Sequence, residues 1–322
     1  QVKCDVEEEA PAYNEIVPMI GWERYSGDSA VSLKGWVRWW KYLRLKKPVL
    51  MKWTDGLVLH IYPGNEICRA LFVRGIYNPN LVAVINKLLP RDGVYIDVGA
   101  NMGYGALLAG RTVGKNGRVL APEPSSRDFE RLRDNVVLNN MEGVILPRRL
   151  AISDKNGTAK LIISAEERNA LNTLGSEISS KGVEKISVEE VETSTLDAFA
   201  EKEKVARVDV IKLDIEGSEV NALVGAQNII EKYRPAIILG VNRNALESCH
   251  TNNDELQKTI RKMEYRAYKI TEEPSFVLEE ITDLTGINAG VIVCLHKDSV
   301  LPILPQPKNC SVADKISDFF SR

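Results

Sequence analysis

Three acidic residues follow an apolar segment in the second half of the 322-residue chain. The segment reads VDVIKLDIEGSE over residues 208–219, and its acids are Asp214, Glu216 and Glu219. Strand alternation would place Lys212, Asp214 and Glu216 on one face, and Glu219 would fall in the first turn of a following helix, where the helix dipole favours an acid. We expect these carboxylates to orient a reacting group of a substrate or to remove its proton. A salt-bridged network around the lysine is the alternative.

A glycine-rich loop after another apolar segment offers a place for a ligand. It reads DVGANMGYG over residues 97–105, and glycines let the backbone turn sharply and approach a ligand closely. A dinucleotide fingerprint has a second glycine two positions after the first, but Asn101 stands there and would crowd a pyrophosphate. The carboxylate of Asp97 would repel phosphates and suits the ammonium group of an amino-acid-like ligand.

The next apolar segment, RVLAPE, ends in Glu123. A carboxylate at the end of the second strand of a nucleotide-binding fold accepts hydrogen bonds from ribose hydroxyls. A ribose without phosphates, attached to an ammonium-bearing tail, describes S-adenosylmethionine. Glu123 and Asp97 therefore predict this cofactor, and an NAD-linked oxidoreductase is the rival interpretation.

Alternating strand and helix patterns position these residues. Predicted strands cover residues 94–98, 118–123, 144–153, 208–215 and 236–240, followed by YRAYKI and VIVCL, with an insertion over 157–195. Repeated strand–helix units with short loops predict a doubly wound α/β fold with a mostly parallel sheet. Ligands of such sheets bind outside the carboxyl ends of the strands, where the acids and the glycine loop lie.

Five motifs, in the same order along the chain, resemble the FkbM-type methyltransferases. They are DVGANMGYGALLA, EPSSRDFERLRDNVVLN, AISDKNG, TLDAF and IKLDIEGSEVNALVGA. The resemblance covers roughly residues 70–270 and implies a Rossmann-like class I methyltransferase fold with a seven-stranded sheet. It also implies methyl transfer from S-adenosylmethionine, mostly to hydroxyl oxygens, with a small molecule, glycan or lipid as the acceptor.

The resemblance assigns roles to individual residues. The residues it places at the cofactor are Asp97, Gly99, Ala100, Asn101, Gly103, Glu123 and Asp154. The glycine loop would contact the methionine part, Glu123 the ribose, and the segment with Asp154 the adenine. The catalytic candidates remain Asp214, Glu216 and Glu219.

One position departs from the family pattern. The fifth strand usually ends in a glutamate, but the corresponding residue here is Gly240, with Asn242 the nearest polar side chain. This departure leaves the acceptor open and sustains a rival interpretation, a non-catalytic S-adenosylmethionine-binding module. A divalent metal is a further alternative, since Asp214 and Asn242 would end adjacent strands and offer oxygen ligands suited to magnesium.

Residues 29–54 have a distinct composition. Their charged residues are all positive, and four of the chain's five tryptophans lie among them. At helical spacing, one stripe holds Leu33, Trp36, Trp40 and Leu43, and another holds Lys34, Arg38 and Lys41. The pattern predicts either an interfacial helix on an anionic membrane or a helix that packs its tryptophans onto the catalytic domain.

Composition excludes several classes. A formal net charge of −2 gives no basis for a nucleic-acid partner, and no apolar run approaches the roughly 18 residues of a membrane span. The five cysteines form no CxxC pair, which argues against a cysteine zinc site.

We expect His60 and His250 to be structural and His296 to lie on the surface. The predicted divisions are an N-terminal extension (1–65), a catalytic domain (66–300) and a tail (301–322); the sequence predicts no compartment.

Overall fold

A computed structural model describes residues 16–17, 33–53, 56–164, 174, 185–271 and 277–299. The strands are β1 (Ile16–Val17), β2 (Val49–Lys52), β3 (Val58–Ile61), β4 (Val94–Val98), β5 (Arg118–Pro122), β6 (Ile145–Arg148), β7 (Ala151–Ile152), β8 (Gly157–Ser164), β9 (Lys185–Ser194), β10 (Val210–Leu213), β11 (Ala236–Asn242), β12 (Tyr265–Thr271), β13 (Val277–Ile281) and β14 (Ala289–His296). The helices are α1 (Leu33–Leu43), α2 (Glu66–Arg74), α3 (Pro79–Leu88), α4 (Tyr104–Val113), α5 (Ser126–Leu138), α6 (Leu196–Lys202), α7 (Glu219–Val224), α8 (Gln227–Tyr233), α9 (Arg243–Ser248) and α10 (Asn253–Lys262). Among these helices, none combines the length and apolar character needed to cross a bilayer.

The central sheet runs in the order β13-β12-β14-β11-β10-β4-β5-β6. From β11 to β6 every neighbouring pair is parallel, while β14 is antiparallel to both β11 and β12. From β4 the chain winds outward through β5 and β6, and it then returns to β10 on the other side of β4. The doubly wound, mostly parallel α/β fold is therefore confirmed. The sheet has eight strands instead of seven, because β13 pairs with β12 at the edge.

Two predicted elements are divided in the structure. The strand expected over 144–153 splits into β6, in the central sheet, and β7, which pairs with β9 in a separate sheet of order β7-β9-β8. The helix expected to follow β10 splits into α7 and α8 at Gly225. A Cβ at Gly225 would lie 2.2 Å from the carbonyl oxygen of Ser153, so the chain crosses here at a distance that only glycine allows.

Hydrophobic clusters cover the two faces of the central sheet. One joins β2 and β3 to α3, α4 and α5, and the other joins β10 and β11 to α6, α7, α8 and α10. The first cluster contains Leu59 and Ile61 together with Leu107, so apolar side chains on both sides of the predicted boundary at residue 65 pack together. The boundary itself stays a prediction, and residues 1–15 and 18–32 of the extension and the whole tail (301–322) lie outside the described residues.

The basic tryptophan segment contains α1, packed on α2. The Tyr42 ring lies 5.7 Å from that of Phe72, and its hydroxyl donates to the carbonyl oxygen of Asn65 at 3.0 Å. Trp53, after β2, is buried, whereas the side chain of Trp40 is 59% exposed. The tryptophans of this segment therefore do not share one environment. The side chains of Leu33, Lys34 and Trp36 lie outside the described residues.

Candidate active site

A pocket opens at the carboxyl ends of β4, β5 and β10, where the strand order reverses. Its lining residues are Glu66, Ile67, Tyr77, Leu81, Val98, Gly99, Ala100, Asn101, Tyr104, Gly105, Glu123, Pro124, Leu150, Ala151, Ile152, Leu161, Leu174, Lys212, Asp214, Ile215, Glu216 and Ser218. The structure thus brings together Gly99, Ala100, Asn101 and Glu123 of the predicted cofactor residues. Of the predicted catalytic acids, it brings Asp214 and Glu216 to the same pocket.

The glycine loop connects β4 to α4 along the floor of this pocket. Gly99 has a φ of +73°, and a Cβ there would lie 2.3 Å from the carbonyl oxygen of Asp214. The backbone N–H groups of Gly99 and Ala100 donate to the carbonyl oxygen of Pro122 at 3.1 and 3.3 Å. Gly103 has a φ of +94° and lies immediately before α4, outside the pocket lining. The loop is therefore fixed between β5 and β10, and its glycines are required by its close contacts.

The Glu123 carboxylate lies directly after β5 and is buried, with 4% exposure. It accepts hydrogen bonds from the backbone N–H groups of Asn101 at 2.9 Å and Ser125 at 3.0 Å, one on each oxygen. Burial raises the pKa of Glu123, with a further contribution from the charge of Asp128, while the two N–H donors act in the opposite direction. The carboxylate is thus held in one orientation and retains unused acceptor sites towards the pocket.

Asp97 and Lys212 form a buried ion pair beneath the loop. The strand register places them opposite each other, and Nζ of Lys212 lies 3.1 Å from Oδ1 of Asp97. The same Nζ lies 3.4 Å from the carbonyl oxygen of Gly99 and 3.7 Å from Oδ2 of Asp214. Burial alone would lower the pKa of Lys212, but the two carboxylates raise it above its usual range, so the lysine is a cation. Asp97 lies below the pocket lining, where it fixes Lys212, and Lys212 joins the lining itself.

Asp214 follows β10 at the pocket rim, with a side chain 46% exposed. It faces Gly240 on the neighbouring strand β11, where a Cβ would lie only 2.2 Å from Oδ1 of Asp214. A glutamate in place of Gly240 is therefore incompatible with this position of Asp214. The departure from the family pattern accordingly has a structural counterpart, because the missing side chain leaves room for the aspartate.

The two glutamates after Asp214 differ in their surroundings. Glu216 lines the pocket in a left-handed conformation, with a φ of +50°. Burial, reinforced by the charges of Asp214 and Glu219, raises the pKa of Glu216 to about 8. Glu219 is buried outside the pocket lining and accepts hydrogen bonds from the N–H groups of Ile215 and Gly217, each at 3.0 Å. Burial raises the pKa of Glu219 to about 7. Glu219 therefore shapes the loop that carries Asp214 and Glu216.

Sequence reasoning did not identify the pocket wall to which residues before β4 contribute. Tyr77 and Glu66 line it together with Tyr104 of α4, and the Tyr104 hydroxyl donates to the carbonyl oxygen of Tyr77 at 2.5 Å. The Trp53 ring lies 5.2 Å from the Tyr104 ring and holds it from behind. Burial, followed by the charge of Asp214, raises the pKa of Tyr77 to about 12, so its phenol is a neutral hydrogen-bonding group. The available signal was Tyr77 in a turn sequence, GIYNPN, shortly before the glycine loop.

The opposite wall of the pocket is largely apolar. It consists of Pro124, Leu150, Ala151, Ile152, Leu161 and Leu174. Asp154, which the resemblance placed near the adenine, is exposed and absent from the lining, and it accepts a hydrogen bond from the Ser153 hydroxyl at 3.0 Å. The segment around Asp154 thus contributes to the pocket through its preceding apolar residues.

The histidines lie away from the lining. His60 is buried with Nδ1 3.2 Å from Oδ1 of Asn135, and His250 is exposed after α9. The expectation for His296 was wrong. It is the last residue of β14, is 6% exposed, and packs edge-on against Tyr265 at 5.4 Å. The antiparallel pairing of β14 with β12 covers it.

The metal alternative receives no support from the described residues, which contain no group of three acidic, histidine or cysteine side chains able to hold a metal ion. The side chain of Asn242 is used at the start of α9, where Oδ1 accepts from the N–H of Ala245 at 3.4 Å.

Comparison with known proteins identifies a family. The profile of the methyltransferase FkbM domain matches residues 97–270, more than half of the chain. Hexuronic acid methyltransferase AglP of Haloferax volcanii is 28% identical over 177 residues, which are 54% of this chain and 66% of that protein. The chain therefore spans just under two thirds of the length of this relative.

Solved methyltransferase structures are more distant. An O-methyltransferase from Thermotoga maritima is 13% identical, with a TM-score of 0.40, over 70% of this chain and 68% of that one. A methyltransferase FkbM from Methylobacillus flagellatus is 12% identical, with a TM-score of 0.39, over 80% of this chain and 58% of that one. These superpositions are loose, and the family assignment depends on the sequence match.

Proposed function

We propose that this chain, which belongs to the FkbM methyltransferase family, transfers the methyl group of S-adenosylmethionine to a hydroxyl oxygen of a small molecule, sugar or lipid. The observation that carries the proposal is a single pocket between two carboxylates. Glu123 lines the pocket at the end of β5, and Asp214 lies at the rim, at the end of β10, beside Gly240.

The residues present fit the cofactor. Glu123 retains acceptor sites after binding two backbone N–H groups, which suits the two hydroxyls of a ribose. The apolar wall around Ile152 offers a surface for a flat base, and Gly99 and Ala100 leave space along the floor. When bound, the cofactor supplies an electrophilic methyl group on a sulfonium ion. The protein must then position an acceptor oxygen and take up its proton.

In this proposal Asp214 orients and deprotonates the acceptor. Its side chain is half-exposed at the rim, and Lys212, held from below by Asp97, lies 3.7 Å away. The loop that presents it is fixed by the two hydrogen bonds to Glu219. Glu216 and Tyr77 supply neutral hydrogen-bonding groups on the same side of the pocket at pH values below their raised pKa values.

The charges of the lining favour an uncharged hydroxyl over a carboxylate as the acceptor. Glu66, Glu123 and Asp214 line the pocket together with Glu216, which is neutral below its raised pKa, and the single cation of the described lining, Lys212, lies against Asp97. An anionic acceptor would need a cation that this lining does not offer, because a buried charge without a partner is costly. The name of the relative from Haloferax volcanii suggests a sugar as the acceptor, and the charges of the lining suggest that an uncharged hydroxyl of that sugar receives the methyl group.

Methyl-tritiated cofactor, incubated with the protein and with glycan, lipid and metabolite pools, tests the proposal. We expect label in an acceptor, and we expect it to survive mild alkali, because an ether is stable where the methyl ester of a uronic acid is hydrolysed. Alkali-labile label would refute a hydroxyl acceptor but not methyl transfer. Cofactor binding without label in any pool would support the rival binding module, and tight NAD binding would support the oxidoreductase.

Glu123→Ala provides the matched measurement of the cofactor assignment. Ribose hydroxyls left unpaired cost about 1–3 kcal/mol, which corresponds to about 5- to 150-fold weaker binding. Calorimetry measures this loss, and Glu142→Ala, at an exposed residue outside the lining, is the control. Equal affinity of Glu123→Ala and the parent protein would contradict the assignment.

A further inference from the structure

The outward face of α1 carries exposed apolar side chains. Val37, Trp40 and Leu43 are 48%, 59% and 60% exposed, and their spacing of three residues places them on one side of the helix. The other exposed large hydrophobic residues of the described chain are four valines on four different elements. Exposed apolar side chains that lie singly are ordinary, whereas a row of three on one helix marks a surface for contact.

The inward face of the same helix is already occupied. Trp39 stacks on Tyr42 at 6.5 Å, and the Arg69 guanidinium of α2 lies 5.5 Å from the centre of the Trp39 ring. Tyr42 is buried against Phe72. These contacts fix the rotation of α1, so Trp40 and Leu43 are presented outward by packing.

The charged residues of the segment that carries this face are all of one sign. Residues 29–54 contain the seven cations Lys34, Arg38, Lys41, Arg44, Lys46, Lys47 and Lys52 and no acid, although the whole chain has a net charge of −2. Lys41, Arg44, Lys46 and Lys47 are exposed, and the Arg44 guanidinium lies 3.9 Å above the Trp40 ring. Cations beside an exposed tryptophan and aliphatic side chains match the interface of an anionic bilayer, which offers headgroup charge and an apolar layer together.

We propose that the outer face of α1 binds an anionic lipid surface. The bilayer takes up Val37, Trp40 and Leu43, and the lysines contact its headgroups. The face is coupled to the active site through α2, because α2 packs on α1 and its first residues, Glu66 and Ile67, line the pocket. Binding in this way keeps one wall of the pocket near the membrane. The proposal does not depend on the identity of the acceptor.

Co-sedimentation of the full chain with vesicles tests this surface. We expect binding to phosphatidylcholine vesicles that contain phosphatidylglycerol, weak binding to phosphatidylcholine alone, and release as salt rises, since salt screens exposed charges. The triple variant Lys41→Gln, Lys46→Gln, Lys47→Gln should partition on the order of 100-fold more weakly, since each basic residue near an anionic surface contributes about fivefold (about 1 kcal/mol). Trp40→Gln with Leu43→Gln should also release the protein.

Matched controls separate this surface from general effects of charge and hydrophobicity. Lys258→Gln, Lys269→Gln, Lys297→Gln removes the same charge from exposed lysines elsewhere, and Val137→Gln with Val224→Gln removes exposed valines. Both should bind vesicles like the parent protein, and thermal unfolding should show that all four variants fold. Three outcomes would overturn the proposal. They are an equal loss of vesicle binding in the control variants and the α1 variants, binding that does not depend on vesicle charge, and no vesicle binding by the parent protein. Release of the vesicle-bound protein by a DNA duplex would also overturn it. Release that accompanies dimer formation would do the same, if the α1 variants leave that release unchanged.

Discussion

Gly240→Ala tests whether the empty space on β11 determines the position of Asp214. A Cβ there would lie 2.2 Å from Oδ1 and 2.8 Å from Cγ of Asp214, where an ordinary contact begins at 3.4 Å. The carboxylate must therefore move by about 1 Å, the difference between the first and last of these distances. Because the side chain of Asp214 is 46% exposed, it can turn into solvent, so the substitution changes the position of the carboxylate more than it strains the fold.

The expected consequence is a loss of turnover with stability and cofactor affinity retained. A displacement of about 1 Å in a reacting group costs on the order of 10²-fold in rate. Gly240 lies in a strand without a positive φ, so alanine is compatible with its backbone, and we expect the free energy of unfolding to change by less than about 1 kcal/mol. The affinity for the cofactor should stay within about threefold, because Gly240 is not part of the pocket lining.

Single-turnover rates with tritiated cofactor, urea unfolding and calorimetry measure the three quantities. Gly143→Ala is the control, because no atom lies within 4 Å of a Cβ at that position. The double variant Gly240→Ala, Asp214→Asn should be no slower than Asp214→Asn alone, since both changes act through one carboxylate. Full turnover of Gly240→Ala, or losses that multiply in the double variant, would refute the reasoning.

Two further expectations follow from the same carboxylates. Asp214→Asn should lower turnover about 10²-fold or more, while the cofactor affinity stays within a few-fold of that of the parent protein. A chelator should leave the rate of the parent protein unchanged. A rate that stops with chelator and returns with magnesium would restore the metal alternative. The raised pKa values of Glu216 and Glu219, about 8 and about 7, mean that the folded state holds extra protons above the usual glutamate pKa, so the free energy of unfolding should fall as pH rises from 5 to 8. Glu216→Gln should flatten this decline in urea unfolding, and an unchanged slope would contradict the raised pKa of Glu216.

The positions of Glu123 and Asp214 were predictable from the sequence. Each follows an apolar segment short enough to be only a strand, and in a parallel sheet the carboxyl ends of the strands meet at one edge. The glycine loop was predictable for the same reason, because Gly99 follows β4 directly. The extra edge strand β13 was not, since a short polar strand in an edge hairpin lacks the apolar pattern of a buried one.

The role of Lys212 required the strand register. Alternation placed Lys212 on the same face as Asp214, but its partner Asp97 lies 115 residues earlier in the chain and meets it only through the pairing of β10 with β4. The wall formed by Tyr77 and Glu66 was unpredictable for a similar reason. No periodic pattern links residues before the sheet to its carboxyl edge, and that link depends on the packing of Tyr104 against Trp53.

The two interpretations of the tryptophan segment were not exclusive, because a helix has two faces. Hydrophobic spacing places Trp36 with Trp40 and Trp39 with Tyr42, but it does not say which pair faces the protein. The packing against α2 makes that choice. Phe72 of α2 contacts Tyr42, and Arg69 of α2 lies over Trp39, so Trp40 faces outward. The positive charges then distinguish the outward face from an incidental apolar patch, because residues 29–54 contain seven cations and no acid. Anchoring on one side and an exposed basic, apolar face on the other are what an interfacial helix attached to an enzyme requires.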